Sequence, residues 1–191
     1  MVHLGMTGKL LAAGAPAKHT YGVFTLDDGV MLYEDPRQFG RIEWGETRVK
    51  KLGPEPLDIS LEDFSRALKA RKTRMKALLL NQSFLAGLGN IYVDEILFTS
   101  GIHPLAQASR LSPARAAKLH GVMIETLTLA IRHRGSSVSD YVDADGNRGE
   151  FQMLHRAYGR DGQPCLVCGT IIKKAVVATR GTHYCPVCQK R

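Results

Sequence analysis

Over the first 45 or so residues, apolar positions recur at every second place. Val2, Leu4 and Met6 alternate with His3, Gly5 and Thr7, the period of a strand with one covered face. Tyr21 to Leu26 and Val30 to Tyr33 flank Asp27-Asp28-Gly29, which predicts a hairpin, and Arg41-Ile42-Glu43-Trp44 reads as a further short strand. The pattern predicts an antiparallel sheet. It begins abruptly, with Met1 already inside an alternating run and nothing before it to cover the sheet edge.

Gly53-Pro54-Glu55-Pro56 is a linker, and after it the period becomes helical. Ser60 with Asp63 three residues on resembles a capping box, and Phe64 and Leu68 supply one apolar face. A basic run of Lys69, Arg71, Lys72, Arg74 and Lys76 precedes Leu78-Leu79-Leu80. Gly87-Leu88-Gly89-Asn90 opens a helix over 91–100, with Asn90 in the N-cap place. Ser112-Pro113 opens a longer one, Ser as cap and Pro at the first helical position, and Gly135 follows its end. Residues 136–152 turn polar and glycine-bearing, Asp143-Ala144-Asp145-Gly146-Asn147-Arg148-Gly149-Glu150, which reads as a mobile loop.

Composition narrows the class. Of 191 residues, 44% are hydrophobic and 23% charged, values of a globular chain that set aside disordered and fibrous classes. No apolar run reaches the roughly 18 residues of a membrane helix, and the start lacks the basic-then-apolar order of a signal peptide, so the expected place is the cytoplasm or nucleoid. The 26 Lys+Arg against 18 Asp+Glu give a net charge of +8, which suggests a polyanionic partner, nucleic acid first. Residues 156–191 hold seven Lys+Arg against the single acid Asp161. Four zinc thiolates there would offset part of that charge, so its placement says more than its total.

All four cysteines lie near the C-terminus, Cys165 and Cys168, then Cys185 and Cys188, as two C-x2-C pairs separated by 16 residues. In a secreted protein they could form two disulfides. Without a secretion signal, paired knuckles at this separation read as a four-thiolate structural zinc site, each knuckle presenting two sulfurs from one tight turn. The β-branched stretch 170–179 ends at Arg180-Gly181, a turn signal, which predicts a zinc-ribbon hairpin with Arg180 at its turn. His3, His103 and His183 are read as bystanders, since four sulfurs already complete the metal.

Six stretches, in order, resemble the formamidopyrimidine-DNA glycosylase and endonuclease VIII superfamily of base-excision repair enzymes. They are His3 to Gly8, Asp35-Pro36-Arg37-Gln38-Phe39-Gly40, Leu52 to Pro56, Asn81 through Asn90-Ile91-Tyr92, Gly101-Ile102-His103-Pro104, and Tyr158-Gly159-Arg160 leading into the knuckles. The formamidopyrimidine branch fits better. The resemblance implies an α+β fold: the C-terminal part of an antiparallel β-sandwich domain (1–52), a linker (53–57), a helix-two-turn-helix DNA-binding domain (58–135), a lesion-capping-type loop (136–157) and a zinc-ribbon finger (158–191). The partner it implies is double-stranded DNA with a damaged base or abasic site, bound by a monomer.

An enzyme acting on a stacked base must extrude it and fill the gap. By resemblance Met6 and Phe39 are apolar wedges and Arg37 contacts the orphaned base, while Lys76, Asn90 and Arg180 contact phosphates. Each has a plainer reading: core packing for Met6 and Phe39, a helix cap for Asn90, a solvated basic face for Lys76 and Arg180. For the loop 143–150 the plainer reading is a disordered connector. The family's nucleophile is the amine of an N-terminal Pro-Glu pair, with a later lysine on a β-hairpin. This sequence starts at the strand carrying the HLGM stretch, so no catalytic residue is assigned within it. Two functions are therefore expected: a glycosylase with abasic-site lyase activity acting on oxidised purines, its nucleophile segment outside this sequence, or a non-catalytic module that binds damaged DNA or abasic sites. An RNA-binding zinc-ribbon protein is a more remote third.

Overall fold

The computed structural model describes residues 1–12, 14–45, 51–138 and 141–191. It has two compact units, one of residues 1–50 with 130–154, the other of 51–129 with 155–191. The fold is mixed α and β with antiparallel sheets. No helix among the described residues is long and apolar enough to cross a membrane.

In the first unit, β2 (Lys9–Leu11), β4 (Gly29–Glu34) and β3 (Thr20–Leu26) form a three-stranded antiparallel sheet in that order, and β1 (Val2–His3) pairs with β5 (Arg41–Ile42). The β3–β4 hairpin turns over Asp27 and Asp28, with Leu26 opposite Gly29. The alternation of Val2, Leu4 and Met6 sustains a strand only as far as His3. Gly5 adopts a left-handed φ of 64°, and a Cβ there would lie 2.8 Å from the Phe39 carbonyl carbon. The glycine lets this loop lie directly on the backbone of Phe39 and Gly40, so the chain turns where the sequence pattern predicts extension.

The second unit carries the larger core. α1 (Leu61–Lys69) starts as its capping box requires, Ser60 Oγ accepting from the Asp63 amide at 3.1 Å. α2 (Met75–Leu79), α3 (Asn90–Ser100) and α4 (Pro113–Arg132), whose last residues belong to the first unit, complete the helices. Phe64, Leu68, Met75, Leu79, Ile96, Leu97, Leu119 and Met123 meet in one apolar cluster. α3 is buried nearly all round, so it has no polar stripe: Val93, Ile96 and Leu97 face that cluster, while Phe98 joins a second one with Ala157, Ile172, Cys165 and Cys185 beneath the ribbon. The ribbon itself is the hairpin β6 (Lys173–Val177) with β7 (Arg180–Tyr184).

Candidate nucleic-acid interface and zinc centre

The four cysteine sulfurs lie within 4.8 Å of one another. Cys165 and Cys188 Sγ are 3.9 Å apart, and Cys168 and Cys185 Sγ 3.5 Å. A tetrahedron with zinc–sulfur bonds of about 2.3 Å has edges of about 3.8 Å, so the cluster fits the ion. The knuckles are also set for thiolates, since the Val167 amide points at Cys165 Sγ and the Cys188 amide at Cys185 Sγ, both at 3.4 Å. Hydrogen bonds from Thr170 hold the Cys168 thiol down at about 6, whereas burial pushes those of Cys185 and Cys188 up. A dication would offset that burial by taking the thiolate forms as ligands.

The ribbon turn falls two residues before the expected place. Val177 pairs with Arg180 across the two-residue loop Ala178–Thr179, whose φ angles are 50° and 61°. Two left-handed residues make a type I′ hairpin, the turn whose twist matches the strands. Neither is glycine, so the turn is strained. Gly181, the turn signal in the sequence, is instead a strand residue, and Arg180 is the exposed first residue of β7.

Two donors converge on the Gly181 carbonyl, Lys76 Nζ at 3.1 Å and Asn90 Nδ2 at 3.0 Å. The expectation for Asn90 as a helix cap is corrected, because Gly89 holds the cap place and Asn90 is the first helical residue, its side chain turned to the ribbon. Its Oδ1 is buried and has no hydrogen-bond partner. Lys76 is corrected as well. It is neither on a solvated face nor open to a phosphate, since its side chain is 0% exposed and Nζ lies 2.6 Å from Asp94 Oδ1. Burial lowers its pKa against the opposing pull of Asp94. Thus Lys76, Asn90 and Arg180 are brought together around one peptide carbonyl, with Arg180 alone presenting its charge to solvent.

Asp94 and Glu95, two adjacent acids in an otherwise apolar helix, are buried residues that the sequence reading missed. Glu95 accepts the amides of Arg156, Ala157 and Tyr158 at 2.8, 2.9 and 2.7 Å. Burial raises its pKa, with those three amides pulling against it. The signal available was the placement of two charges inside a helix with no polar face.

In the first unit, Met6, Arg37 and Phe39 sit on two touching loops. Met6 is 59% and Phe39 51% exposed, so core packing is excluded for both in this structure. The Arg37 guanidinium lies 4.6 Å from the Phe39 ring centre, a cation–π stack. Between these two residues Gln38 is left-handed at φ 55°, and its amide Nε2 reaches Tyr21 Oη at 2.6 Å. What ties the loops together is Asp35, buried and missed as a site residue in the sequence. It accepts the Thr7 hydroxyl at 2.5 Å, the Gly40 amide at 2.7 Å and the Tyr33 hydroxyl at 3.2 Å. Burial acts to raise its pKa, but the hydrogen bonds outweigh it and hold the carboxyl below the ordinary range.

The segment 141–150 makes a compact turn. Asp143 Oδ1 accepts the amides of Asp145 and Asn147, the Ala12 amide donates to the Ala144 carbonyl at 2.8 Å, and Ser137 Oγ accepts from the Gly149 amide. A cavity of about 430 Å³ lies beside it, lined by His133, Arg148, Glu150, Gln152, Met153 and Leu154 among others.

Three family patterns match the chain in order. They are the formamidopyrimidine-DNA glycosylase N-terminal domain over residues 1–42, the formamidopyrimidine-DNA glycosylase H2TH domain over 52–142, and the zinc finger found in FPG and IleRS over 162–191. The formamidopyrimidine-DNA glycosylase of Solibacter usitatus is 57% identical over 194 residues, spanning 100% of this chain and 74% of the relative; that of Herpetosiphon aurantiacus is 46% identical, spanning 99% and 73%. Among solved structures, the MutM (Fpg) protein from Thermus thermophilus superposes with a TM-score of 0.88 at 41% identity, covering 98% of this chain and 74% of that one. Lactococcus lactis Fpg in complex with DNA containing an abasic site gives 0.86 at 39%, covering 100% and 74%. The four cysteines hold one structural zinc. With the sheet loops, the helical layer and the zinc ribbon each matched in the same order, the chain belongs to the formamidopyrimidine-DNA glycosylase family.

Proposed function

We propose that this protein is a base-excision repair glycosylase that acts on oxidised purines such as formamidopyrimidine and 8-oxoguanine in duplex DNA, with lyase chemistry at the resulting abasic site. The observation that carries this reading is the presentation of Met6, Arg37 and Phe39: two exposed apolar side chains and a guanidinium on loops locked to one buried carboxylate. Exposed apolar groups on a rigid loop suit insertion into a base stack, and the guanidinium offers donors to the base left without a partner. Arg180 at the ribbon supplies a phosphate contact, and the segment 141–150 with its cavity closes over the everted base. The divisions at 53–57 and 136–157 are part of this reading. A protein with these partners works at the nucleoid.

A second reading is favoured by one further observation. The Lys76 amine is sealed in an ion pair with Asp94 and is not presented as a nucleophile, which suits a module that binds damaged or abasic DNA. Incubation with duplexes bearing 8-oxoguanine or an abasic site, followed by borohydride and by gel shift, separates the two. A covalent band identifies the glycosylase-lyase in this chain; lesion-selective binding without one identifies the binding module. Equal affinity for undamaged duplex, or preference for RNA, refutes both.

A further inference from the structure

Asp94 is the hub of a buried network that joins α3 to β7. Its Oδ1 takes Lys76 Nζ at 2.6 Å, and its Oδ2 takes the His183 amide at 2.9 Å, with His183 Nδ1 at 3.1 Å. The other ring nitrogen of His183 lies 3.2 Å from Asp161 Oδ1. Gly181 and His183 stand two apart in β7, so their backbone groups leave the same edge of the strand. That edge is held at two points: the Gly181 carbonyl by Lys76 and Asn90, the His183 amide by Asp94. An unpaired strand edge next to a two-residue turn would otherwise be loose, and Arg180 sits between the turn and the first of these points.

We propose that Asp94 is a positioning residue for Arg180: through Lys76 and the His183 amide it fixes the ribbon edge, and with it the direction in which the Arg180 guanidinium meets a DNA phosphate. The carboxylate touches no ligand itself. It orients Lys76 so that one ammonium serves both Asp94 and the Gly181 carbonyl, and it caps the next free amide along the same edge. A guanidinium held in one direction loses less freedom on binding than one on a loose strand, and this lowers the cost of the contact. The inference rests on the proposed binding of damaged duplex through Arg180.

The test compares wild type, Arg180→Ala, Asp94→Asn and the double variant for affinity to an abasic-site duplex across a salt series, with zinc content measured for each. Asp94→Asn is expected to keep one zinc and to bind about tenfold more weakly, with a shallower salt slope like that of Arg180→Ala. The double variant is expected to bind no more weakly than Arg180→Ala alone. Should Asp94→Asn fold poorly, the paired change Asp94→Asn with Lys76→Met removes both charges together, and it is expected to hold zinc and show the same weakened binding, with no loss that adds to that of Arg180→Ala. Wild-type affinity in the zinc-loaded variants, losses that add to those of Arg180→Ala, an inert Arg180→Ala, or loss of zinc from both Asp94 variants overturns the assignment. Failure of the wild type to bind the duplex refutes the function proposed above instead.

Discussion

Replacing Asp35 by Asn tests whether one buried carboxylate holds the loops that carry Met6 and Phe39. Asp35 takes three donors from three places: Thr7 in the loop that carries Met6, Gly40 after Phe39, and Tyr33 at the end of β4. Asparagine offers one acceptor and one donor group. Its oxygen can face the Gly40 amide and Tyr33, and its amide can face Thr7, whose hydroxyl is free to turn and accept. The bonds survive as neutral ones, so the loss is the charge assistance, about 1 kcal/mol for each of the three bonds and about 3 kcal/mol in all, when bonds to a charged group are worth about 1.5 to 3 and neutral ones about 0.5 to 1.5. Asp35→Ala removes the acceptors and strands the Gly40 amide, which raises the loss to about 4 kcal/mol. The pH dependence has a definite sign. Because the folded carboxyl sits below its unfolded value near 3.9, its contribution is fully present above that pH and is lost as pH falls through the folded value. Urea unfolding at pH 7 and pH 3 reads this out, together with the ratio of affinities for abasic and undamaged duplex. At pH 7 the Asn variant should be less stable and less selective, and the stability gap should narrow as the pH falls below the unfolded value. A gap below about 0.5 kcal/mol at pH 7, or one that persists unchanged at pH 3, refutes the role given to Asp35.

Chelation of the zinc should release one metal, unfold the ribbon and weaken duplex binding while the helical circular-dichroism signal persists, because so small a hairpin folds through its metal; unchanged affinity would exclude the ribbon from the interface. Arg180→Ala should make the plot of log affinity against log salt shallower by about 0.9 for damaged and undamaged duplex alike, whereas Arg37→Ala should reduce the lesion preference and leave the slope nearly as it was. Thr179→Gly should stabilise the ribbon by about 1 kcal/mol, since a β-branched residue at φ 61° is strained, and a lower melting temperature or poorer zinc retention would show that the turn carries no such strain.

The zinc ligands were legible because spacing alone determines whether two knuckles can close on one ion, and the capping box at Ser60 because it is a contact between residues three apart. What misled were signals whose outcome depends on distant partners. Lys76 lies in a basic run and reads as a surface cation, but the groups that bury it, Asp94 and the Gly181 carbonyl, come from 18 and 105 residues away. Asn90 reads as a cap until the ribbon supplies an acceptor for its amide. Gly181 reads as a turn because glycine usually does, whereas the hairpin register places the turn on Ala178 and Thr179. Met6 and Phe39 could not be told from core residues by composition, and only the fold of the two loops onto Asp35 leaves them exposed.

The buried acids of α3 explain how a ribbon with so little core of its own can be held firmly. Its apolar support is the small cluster of Phe98, Ala157 and Ile172 with two of the metal-site cysteines, and apolar contact alone has no direction, so it would let the hairpin slide on the helix. Carboxylates that accept named amides do have direction. Glu95 takes three consecutive amides at the entry to the finger and Asp94 takes one on β7, so two adjacent residues of a single rigid helix fix the finger at both places. Such buried charges add little net stability, because desolvation offsets much of their attraction. Their contribution is orientation: any sliding of the hairpin would leave a carboxylate buried and unpaired, at a cost of several kcal/mol. The zinc holds the finger together internally, and the two acids set its direction on the helix that Asn90 begins.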